Sequence, residues 1–449
     1  MDVEPRLRRG ADWVASDDGA RWAFRILLLG SIIVLYLVGR NQWFIRDDWA
    51  FIFTREKVHQ ASGLDDMLFM AQDGHWMTIP IVIYRLIHAV FGTGSYWPYL
   101  IPTMACHVGI VVMIRKLSLR VGVTPWTATI LAGTLALFGS GWENIVFAIQ
   151  LVYNLSLLAF LVHLALLDHD GPPDRRDALG VIAGLVAVSS SGFGPFFILG
   201  TLVFTVLRRR WLAAAIATIP TALASAWWWL FWGSDPAGDS TRSLSQMPAY
   251  VHRGIEAVFQ GITATASLVG ISLIATLAIL IWRQRNPPAH DLMLALAVTA
   301  VLVYIGLGIE RSGFGVDTAA NSRYVYVGAA LLIPAVGVAV DQLARIGSPA
   351  LWAARLLLIG ATGMNISALR TNSDEWAARA AEERNTLDLL AASPAISTVN
   401  QAIAPLSFSP DVRISDLAEL VADGAIHPRV ASSPVEQGLV DFALSQPPP

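Results

Sequence analysis

Two adjacent carboxylates, Asp47 and Asp48, follow directly after the first long apolar run of the chain, Trp22 to Val38. Charge at the edge of a membrane is costly, so acids in such a position indicate a function. A partly desolvated carboxylate has a raised pKa and can act as a general base toward an incoming hydroxyl. Because adjacent side chains in extended backbone point in opposite directions, we expect one acid to act while the other orients it, pairs with an arginine or binds a cation. The same residues also fit a solvated loop that begins with acids.

Further polar residues occur in later segments of the chain. Asp73 and His75 form a second group beside Trp76, whose ring could stack on a sugar, although His75 also fits an exposed loop. Arg311 and Arg323 offer guanidinium groups that bind phosphate through charge-assisted contacts, and the alternative for Arg323 is snorkelling or pairing with Asp317. The remaining candidates for substrate binding are Trp49, Glu143, Gln150 and Tyr324.

Composition identifies the kind of protein that must position these residues. The chain has 449 residues, of which 55% are hydrophobic and 14% are charged. A soluble domain carries about 25% charged residues, so the chain is a polytopic membrane protein. Its net charge of −3 gives no basic field for nucleic acid. One cysteine, Cys106, excludes an internal disulfide and a thiolate metal site.

The apolar runs predict an all-α fold with about 11 transmembrane helices. Clusters of arginine mark the cytoplasmic loops and place the N-terminus inside. The expected spans are 22–38, 96–114, 125–139, 145–167, 178–190, 196–207, 211–232, 254–282, 290–308, 323–340 and 351–369. This alternation brings the candidate residues of the separate loops to one external face.

Three regions follow from this topology. Residues 1–23 form a cytoplasmic segment, and residues 24–369 form the membrane domain, in which 41–95 is an external loop with interfacial helices, one of them at 79–92. Residues 370–449 form a small external region that we expect to be partly disordered. In that region Ser373 is a plausible N-cap of a helix toward Leu390, and a short helix at 415–423 ends at Gly424.

The order of these motifs resembles the GT-C superfamily of integral-membrane glycosyltransferases. The resemblance covers roughly residues 24–340 and rests on Arg46-Asp47-Asp48-Trp49, Gly74-His75-Trp76, a break of the Ser-x-Gly-x-Gly kind near Gly192, and Ser322-Arg323-Tyr324. It implies a polyprenyl-phosphate sugar as donor, an external jaw at 41–95, Asp47 or Asp48 as base or metal contact, and Arg323 as a phosphate ligand. Many members have large external C-terminal domains, and this chain departs from them in its small C-terminal region.

We therefore expect an inverting glycosyltransferase of the cell membrane whose active site and C-terminus are external. Asp47 or Asp48 would deprotonate an acceptor hydroxyl on a glycan, lipid or protein, and Arg323 with Arg311 would stabilise the leaving lipid phosphate. A divalent cation, Mg²⁺ or Mn²⁺, could bind Asp47 and Asp48, although the sequence shows no dedicated oxygen cage. The alternatives are a transporter or flippase of lipid-linked glycans and a non-catalytic membrane scaffold.

Overall fold

The computed structural model describes residues 16–233, 244–264 and 287–446. Within these ranges the chain is helical, and its one β-bridge joins Gln72 to His75. The helices are α1 (Asp17–Gly39), a π-helix (Ala50–Thr54), α2 (Arg55–Ser62), α3 (Leu64–Phe69), α4 (Thr78–Phe91), α5 (Trp97–Arg120), α6 (Pro125–Ala136), α7 (Glu143–Val146), α8 (Leu151–Leu167), α9 (Arg175–Val188), α10 (Gly194–Leu207), α11 (Trp211–Trp232), α12 (Met247–Thr263), α13 (Pro287–Arg311), α14 (Ser322–Gln342), α15 (Ser348–Ala391), α16 (Leu417–Ala422) and α17 (Pro434–Leu444).

Seven helices in the described ranges are long and apolar enough to cross a membrane. They overlap the expected spans at 22–38, 96–114, 145–167, 211–232, 290–308, 323–340 and 351–369. The all-α polytopic fold is thus confirmed. The count of 11 stays a prediction, because α6, α9 and α10 have 12 to 14 residues and a span needs about 20. Residues 265–282 of the expected span at 254–282 lie outside the described residues. Residues 1–15 of the predicted N-terminal segment also lie outside them.

The expected interfacial helix at 79–92 forms as α4, which has 14 residues. Its inner face buries Ile81 and Tyr84, whereas Leu86 and Val90 on the opposite face are exposed. Arg85 donates a hydrogen bond to the carbonyl of Ile52 at 2.8 Å. The helix is therefore amphipathic and tied to the loop that carries Asp47, and its position at the membrane interface stays a prediction.

A hydrophobic core lies where the loop region 41–95, which we call the jaw, meets the C-terminal residues. It contains Phe44, Tyr99 and Phe147 together with Leu390 and Leu417. We call residues 392–446 the C-terminal lobe. Burial of apolar surface at roughly 25 cal/mol per Å² makes such a core the main force holding lobe and jaw together. The C-terminal lobe is thus packed against the jaw by a shared hydrophobic core.

Polar contacts fix the register of lobe and jaw. Thr54 donates to Asp411 at 2.6 Å, and Lys57 pairs with Asp416 at 2.7 Å. The backbone amide of Thr93 donates to Asp423 at 2.7 Å. These contacts join residues that are more than 300 positions apart, so the sequence alone gives no local sign of them.

Helix α15 is continuous over 44 residues and is therefore about 66 Å long. This is about twice the thickness of the hydrocarbon core of a bilayer. The expected N-cap at Ser373 is wrong, because Ser373 lies inside the helix. Its buried hydroxyl donates to the carbonyl of Val38 at 2.7 Å and accepts from Gln42 at 2.9 Å. The short helix expected at 415–423 is confirmed as α16, which follows a 3₁₀ turn and precedes Gly424 with φ +74°.

Candidate active site

A turn after α1 sends Asp47 and Asp48 in different directions. Arg46 adopts a left-handed backbone with φ +54°, which is uncommon for a residue with a Cβ. Its amide donates to the hydroxyl of Ser409 at 2.6 Å, and the amide of Trp49 donates to the carbonyl of Arg46 at 3.1 Å. The acids therefore lie on a tight turn that the C-terminal lobe holds in place.

Asp48 is fully buried, and its carboxylate is occupied by hydrogen bonds. Tyr84 donates to one oxygen at 2.7 Å, and Tyr96 donates to the other at 3.0 Å. The amide of Ile45 reaches that second oxygen at 3.3 Å. Burial raises the pKa of Asp48 from its ordinary value of 3.8 to about 7, although the two tyrosine hydrogen bonds act in the opposite direction. Asp48 does not line a cavity with Asp47, so it closes the turn and is not placed to act as the base.

Asp47 lines a cavity of about 160 Å³, which we call the inner cavity. It brings together seven residues that the sequence singled out: Asp47, Asp73, His75, Gln150, Arg311, Arg323 and Tyr324. These residues come from the turn after α1, the segment before α4, the start of α8, the end of α13 and the start of α14. The expected convergence of separate segments is thus present in the described part of the chain.

The charges around Asp47 are mixed. Burial raises its pKa, and Arg46 and Arg323 oppose this shift, whereas Asp73 and Asp411 reinforce it. A carboxylate with a raised pKa that stays close to two guanidinium groups is suited to accept a proton from a hydroxyl. Asp47 therefore lies among two guanidinium groups and two further carboxylates, and its role as a general base stays a prediction.

A two-residue turn at Asp73 and Gly74 positions His75. Both turn residues have positive φ, +50° and +76°, and the amide of His75 donates to the carbonyl of Gln72 at 2.9 Å. This is the geometry for which Asp-Gly is a preferred pair. Arg311 approaches the Nε2 atom of His75 at 3.4 Å. Burial lowers the pKa of His75, so its neutral ring can accept that hydrogen bond.

Arg323 sits in the first turn of α14 and is fixed by Glu143. The Glu143 carboxylate accepts from the Ser322 hydroxyl at 2.5 Å and from the Arg323 amide at 3.2 Å, and it lies 3.9 Å from the Arg323 guanidinium. A carboxylate at a helix N-terminus satisfies amides that lack a partner within the helix. Glu143 therefore orients Arg323 from outside the inner cavity, instead of lining that cavity as expected for a substrate ligand.

Two polar atoms next to the inner cavity are buried without a protein partner in the described part of the chain. They are the Oε1 atom of Gln150 and the Nε atom of Arg323. Buried polar groups in native proteins are nearly always hydrogen-bonded, so an unpaired atom beside a cavity indicates a ligand or a bound water.

The structure places Trp49 and Trp76 away from the inner cavity. Trp49 is buried and stacks on Phe53 with a centroid distance of 5.6 Å. Trp76 stacks on Trp228 at 5.8 Å and donates to Thr78 at 2.7 Å. Both rings are used in packing, and the substrate contacts expected of them stay predictions.

Seven other lining residues of the inner cavity were not in the candidate set, and three of these are polar: Arg46, Gln72 and Tyr153. Arg46 directly precedes the acid pair, and Tyr153 follows Gln150 by nearly one helical turn. Their spacing from predicted residues was the available signal. The Arg46 guanidinium lies over the ring of Phe408 in the C-terminal lobe, 4.7 Å from the ring centroid.

A second and larger cavity of about 640 Å³, the outer cavity, adjoins the first. Arg46 and Arg323 line both cavities, and Glu143 lines the outer one. The two spaces therefore meet at a pair of guanidinium groups, with Asp47 on the inner side.

The residues do not fit a cation held jointly by Asp47 and Asp48. Both oxygens of Asp48 already accept hydrogen bonds, and the two carboxylates face different surroundings. Within residues 16–233, 244–264 and 287–446, two groups of three ligand side chains lie close enough for a metal, and neither contains Asp47 or Asp48. They are His88 with Glu419 and Asp423, and His169 with Asp174 and Asp177.

No protein-family model and no curated protein sequence matches the chain. Among solved structures it is similar to apo ArnT from Cupriavidus metallidurans, with a TM-score of 0.50 and 14% identity over 94% of this chain and 87% of that one. ArnT bound to undecaprenyl phosphate gives 0.49 and 14% over 93% and 76%. The Archaeoglobus fulgidus oligosaccharyltransferase complex with Zn and sulfate gives 0.48 and 14% over 77% and 53%. ArnT and oligosaccharyltransferase are GT-C superfamily members. At this level of identity the likeness to apo ArnT shows the fold alone, and this is the polytopic all-helical fold that the sequence predicted.

Proposed function

We propose that this protein is a membrane glycosyltransferase that moves a sugar from a polyprenyl-phosphate donor to an acceptor hydroxyl on the external face of the membrane. The observation that carries the proposal is the presence of Asp47, Arg311 and Arg323 in one cavity of about 160 Å³. A general base and two phosphate-binding groups are the parts that such a displacement requires.

The proposed reaction is a single displacement. Asp47 takes the proton of the acceptor hydroxyl while the hydroxyl oxygen forms a bond to the anomeric carbon of the donor. The bond between that carbon and the phosphate oxygen breaks, and the lipid phosphate leaves with the electron pair. Arg323 and Arg311 stabilise the charge that develops on the phosphate. Attack from the face opposite the leaving group inverts the anomeric centre.

Apolar side chains beside the inner cavity favour a lipid-linked donor. A small pocket lined by Phe193, Phe196 and Leu307 shares His75, Tyr153 and Tyr324 with the wall around the inner cavity. Phe196 and Leu307 belong to α10 and α13, which pack against each other. A prenyl chain that lies between these helices would place its phosphate beside Arg311, at the end of α13.

Binding of undecaprenyl phosphate to the purified protein in lipid nanodiscs tests the donor site. We expect the wild type to bind it, and Arg323→Lys to weaken binding about 10-fold, because an ammonium lacks the planar fork that pairs with phosphate. Arg370→Lys is the matched control, since Arg370 is largely exposed on α15. Equal affinity of the Arg323 and Arg370 variants would remove Arg323 from the phosphate site, and failure of the wild type to bind would overturn the donor class.

A further inference from the structure

We propose that the outer cavity is the acceptor site and that the acceptor is a hydroxyl-rich carbohydrate. This inference rests on the proposed transfer reaction and names the substrate class of its second partner. It is argued from the contrast between the two sides of Arg46 and Arg323, and from the polar groups of the outer cavity that have no partner.

The two spaces that adjoin the inner cavity differ in their chemistry. The pocket toward α10 and α13 is lined by Phe193, Phe196 and Leu307, which suit a prenyl chain, and by Glu310. Apart from Trp142 and Val325, the apolar residues that line the outer cavity are small, such as Ala257 and Ala368. An acyl chain or a large apolar side chain would find little complementary surface there. The donor and acceptor can therefore reach the inner cavity through different neighbouring spaces without competing for one site.

Free hydrogen-bonding groups face the outer cavity. The side chains of Ser140, Gln260 and Asn321 line it, are partly exposed and have no hydrogen-bond partner in the described part of the chain. Asn321 occupies the N-cap position of α14, yet its side chain makes no capping hydrogen bond. Amides and hydroxyls that both donate and accept match the hydroxyl groups of a sugar.

Hydrogen bonds and ring packing fix the walls of the outer cavity. Glu143 is fixed by Ser322 and by the Arg323 amide, and Trp142 packs edge-to-face on Trp376 at 5.2 Å. A Cβ at Gly261 would lie 3.1 Å from the Ser140 hydroxyl, so the glycine leaves room beside that group. With about 640 Å³, the outer cavity has the size of a small-molecule binding site. A carbohydrate seated there would extend one hydroxyl between Arg46 and Arg323 toward Asp47.

Protection of introduced cysteines measures occupancy of each side separately. In a Cys106→Ala background, Ser140→Cys reports on the outer cavity and Phe196→Cys reports on the apolar pocket. The rate of maleimide labelling is measured in nanodiscs with three kinds of probe: undecaprenyl phosphate, octyl disaccharides of gluco, manno, galacto and arabino configuration, and a serine- and threonine-rich peptide.

We expect at least one disaccharide to slow labelling at Ser140→Cys and not at Phe196→Cys, and undecaprenyl phosphate to do the reverse. Gln260→Ala and Asn321→Ala should each raise the disaccharide concentration for half-protection about 5- to 10-fold, the loss expected for one hydrogen bond. The matched control, Gln437→Ala, lies on exposed α17 and should change nothing. All variants are compared for undecaprenyl phosphate protection, which establishes that each is folded.

Three outcomes overturn the inference: protection of Ser140→Cys by undecaprenyl phosphate, protection by the peptide instead of the disaccharides, and no protection by any of the four disaccharides. Failure of undecaprenyl phosphate to protect Phe196→Cys is a different result. It would contradict the proposed donor and therefore the proposed function, whereas disaccharide protection at Ser140→Cys would still establish a carbohydrate site.

Discussion

Asp48 acts on the active site through the turn that it closes. Its two oxygens accept from Tyr84 on α4 and from Tyr96, whose hydroxyl in turn accepts from the amide of Ala148 at 2.8 Å. One side chain thereby joins the jaw helix, the start of α5 and the segment before α8 to the residue next to Asp47. Asp48 is a positioning residue, and Asp47 is the residue that faces the cavity.

This role predicts a specific dependence of stability on pH. Because burial raises the pKa of Asp48 from 3.8 to about 7, the folded state favours the protonated form. The contribution of Asp48 to stability is then fully present below about pH 4 and is lost as the pH rises toward 7 and above. Between pH 4 and pH 8 the wild type should lose on the order of 2–4 kcal/mol of unfolding free energy relative to Asp48→Asn. Thermal unfolding of both proteins across this range checks it, and parallel curves would contradict it.

The position of His75 can be tested through a glycine that packs against it. A Cβ at Gly192 would overlap the His75 ring. Gly192→Ala should therefore push the ring away from Arg311 and reduce transfer about 10- to 100-fold. The control is Gly360→Ala on α15, where a Cβ meets nothing within 4 Å. Steady-state kinetics would detect the difference, and equal turnover of the two variants would show that His75 is not needed in its present place.

At this scale the sequence could indicate which residue types converge but not which side chains face the cavity. The acid pair was recognisable because charges at a membrane edge are rare. Its division into Asp47 and Asp48 depends on the left-handed backbone of Arg46, which no local pattern encodes. The sequence likewise did not show that the rings of Trp49 and Trp76 stack on Phe53 and Trp228, since an aromatic ring serves packing as readily as sugar binding.

Between the jaw and the C-terminal lobe, Ser409 is the residue that links the lobe to the turn that carries Asp47. Its buried hydroxyl accepts from the amide of Arg46 and donates to Glu383 on α15, each at 2.6 Å. The lobe thus supports the conformation of Arg46 that directs Asp47 into the cavity.

Ser409→Ala should therefore affect both stability and activity. Loss of the hydroxyl leaves two buried polar groups without a partner, which costs about 1–3 kcal/mol. We expect lower thermal stability and about 10-fold slower transfer, because the turn that carries Asp47 loosens. Ser445→Ala, at the exposed end of α17, is the control. Wild-type turnover in the Ser409 variant would show that this contact of the lobe does not affect the active site.

The elements themselves were largely predictable from hydropathy, and their junctions were not. Long apolar runs gave the membrane helices because about 20 apolar residues are needed to cross a bilayer. The continuity of α15 through Ser373 escaped notice, because a serine followed by two acids is also a helix-start signal. Its partner, Gln42, lies 331 residues away, and such a pairing leaves no trace in a local window.

At the scale of the whole molecule, the account requires the inner cavity and the C-terminal lobe to be external. Cysteines at Ser62 and Ser432, both exposed, should react with an impermeant thiol reagent in intact cells that lack Cys106. A cysteine at Ala344, after α14, should react only after the cells are lysed. The reverse pattern would place the active site in the cytoplasm and contradict the predicted orientation, which rests on the positions of the arginines.

Asp47 is proposed as the base in the transfer of a sugar from a polyprenyl-phosphate donor. The most direct measurement follows transfer of a labelled sugar from its undecaprenyl-phosphate donor to an acceptor by purified wild type, Asp47→Asn and Asp65→Asn, with undecaprenyl phosphate binding measured on the same samples. Asp65 is the control because it is exposed on α3 and does not line the inner cavity. We predict that Asp47→Asn binds the lipid like the wild type but transfers about 10²–10⁴-fold more slowly, whereas Asp65→Asn does both normally. Transfer by Asp47→Asn at the wild-type rate would contradict the account.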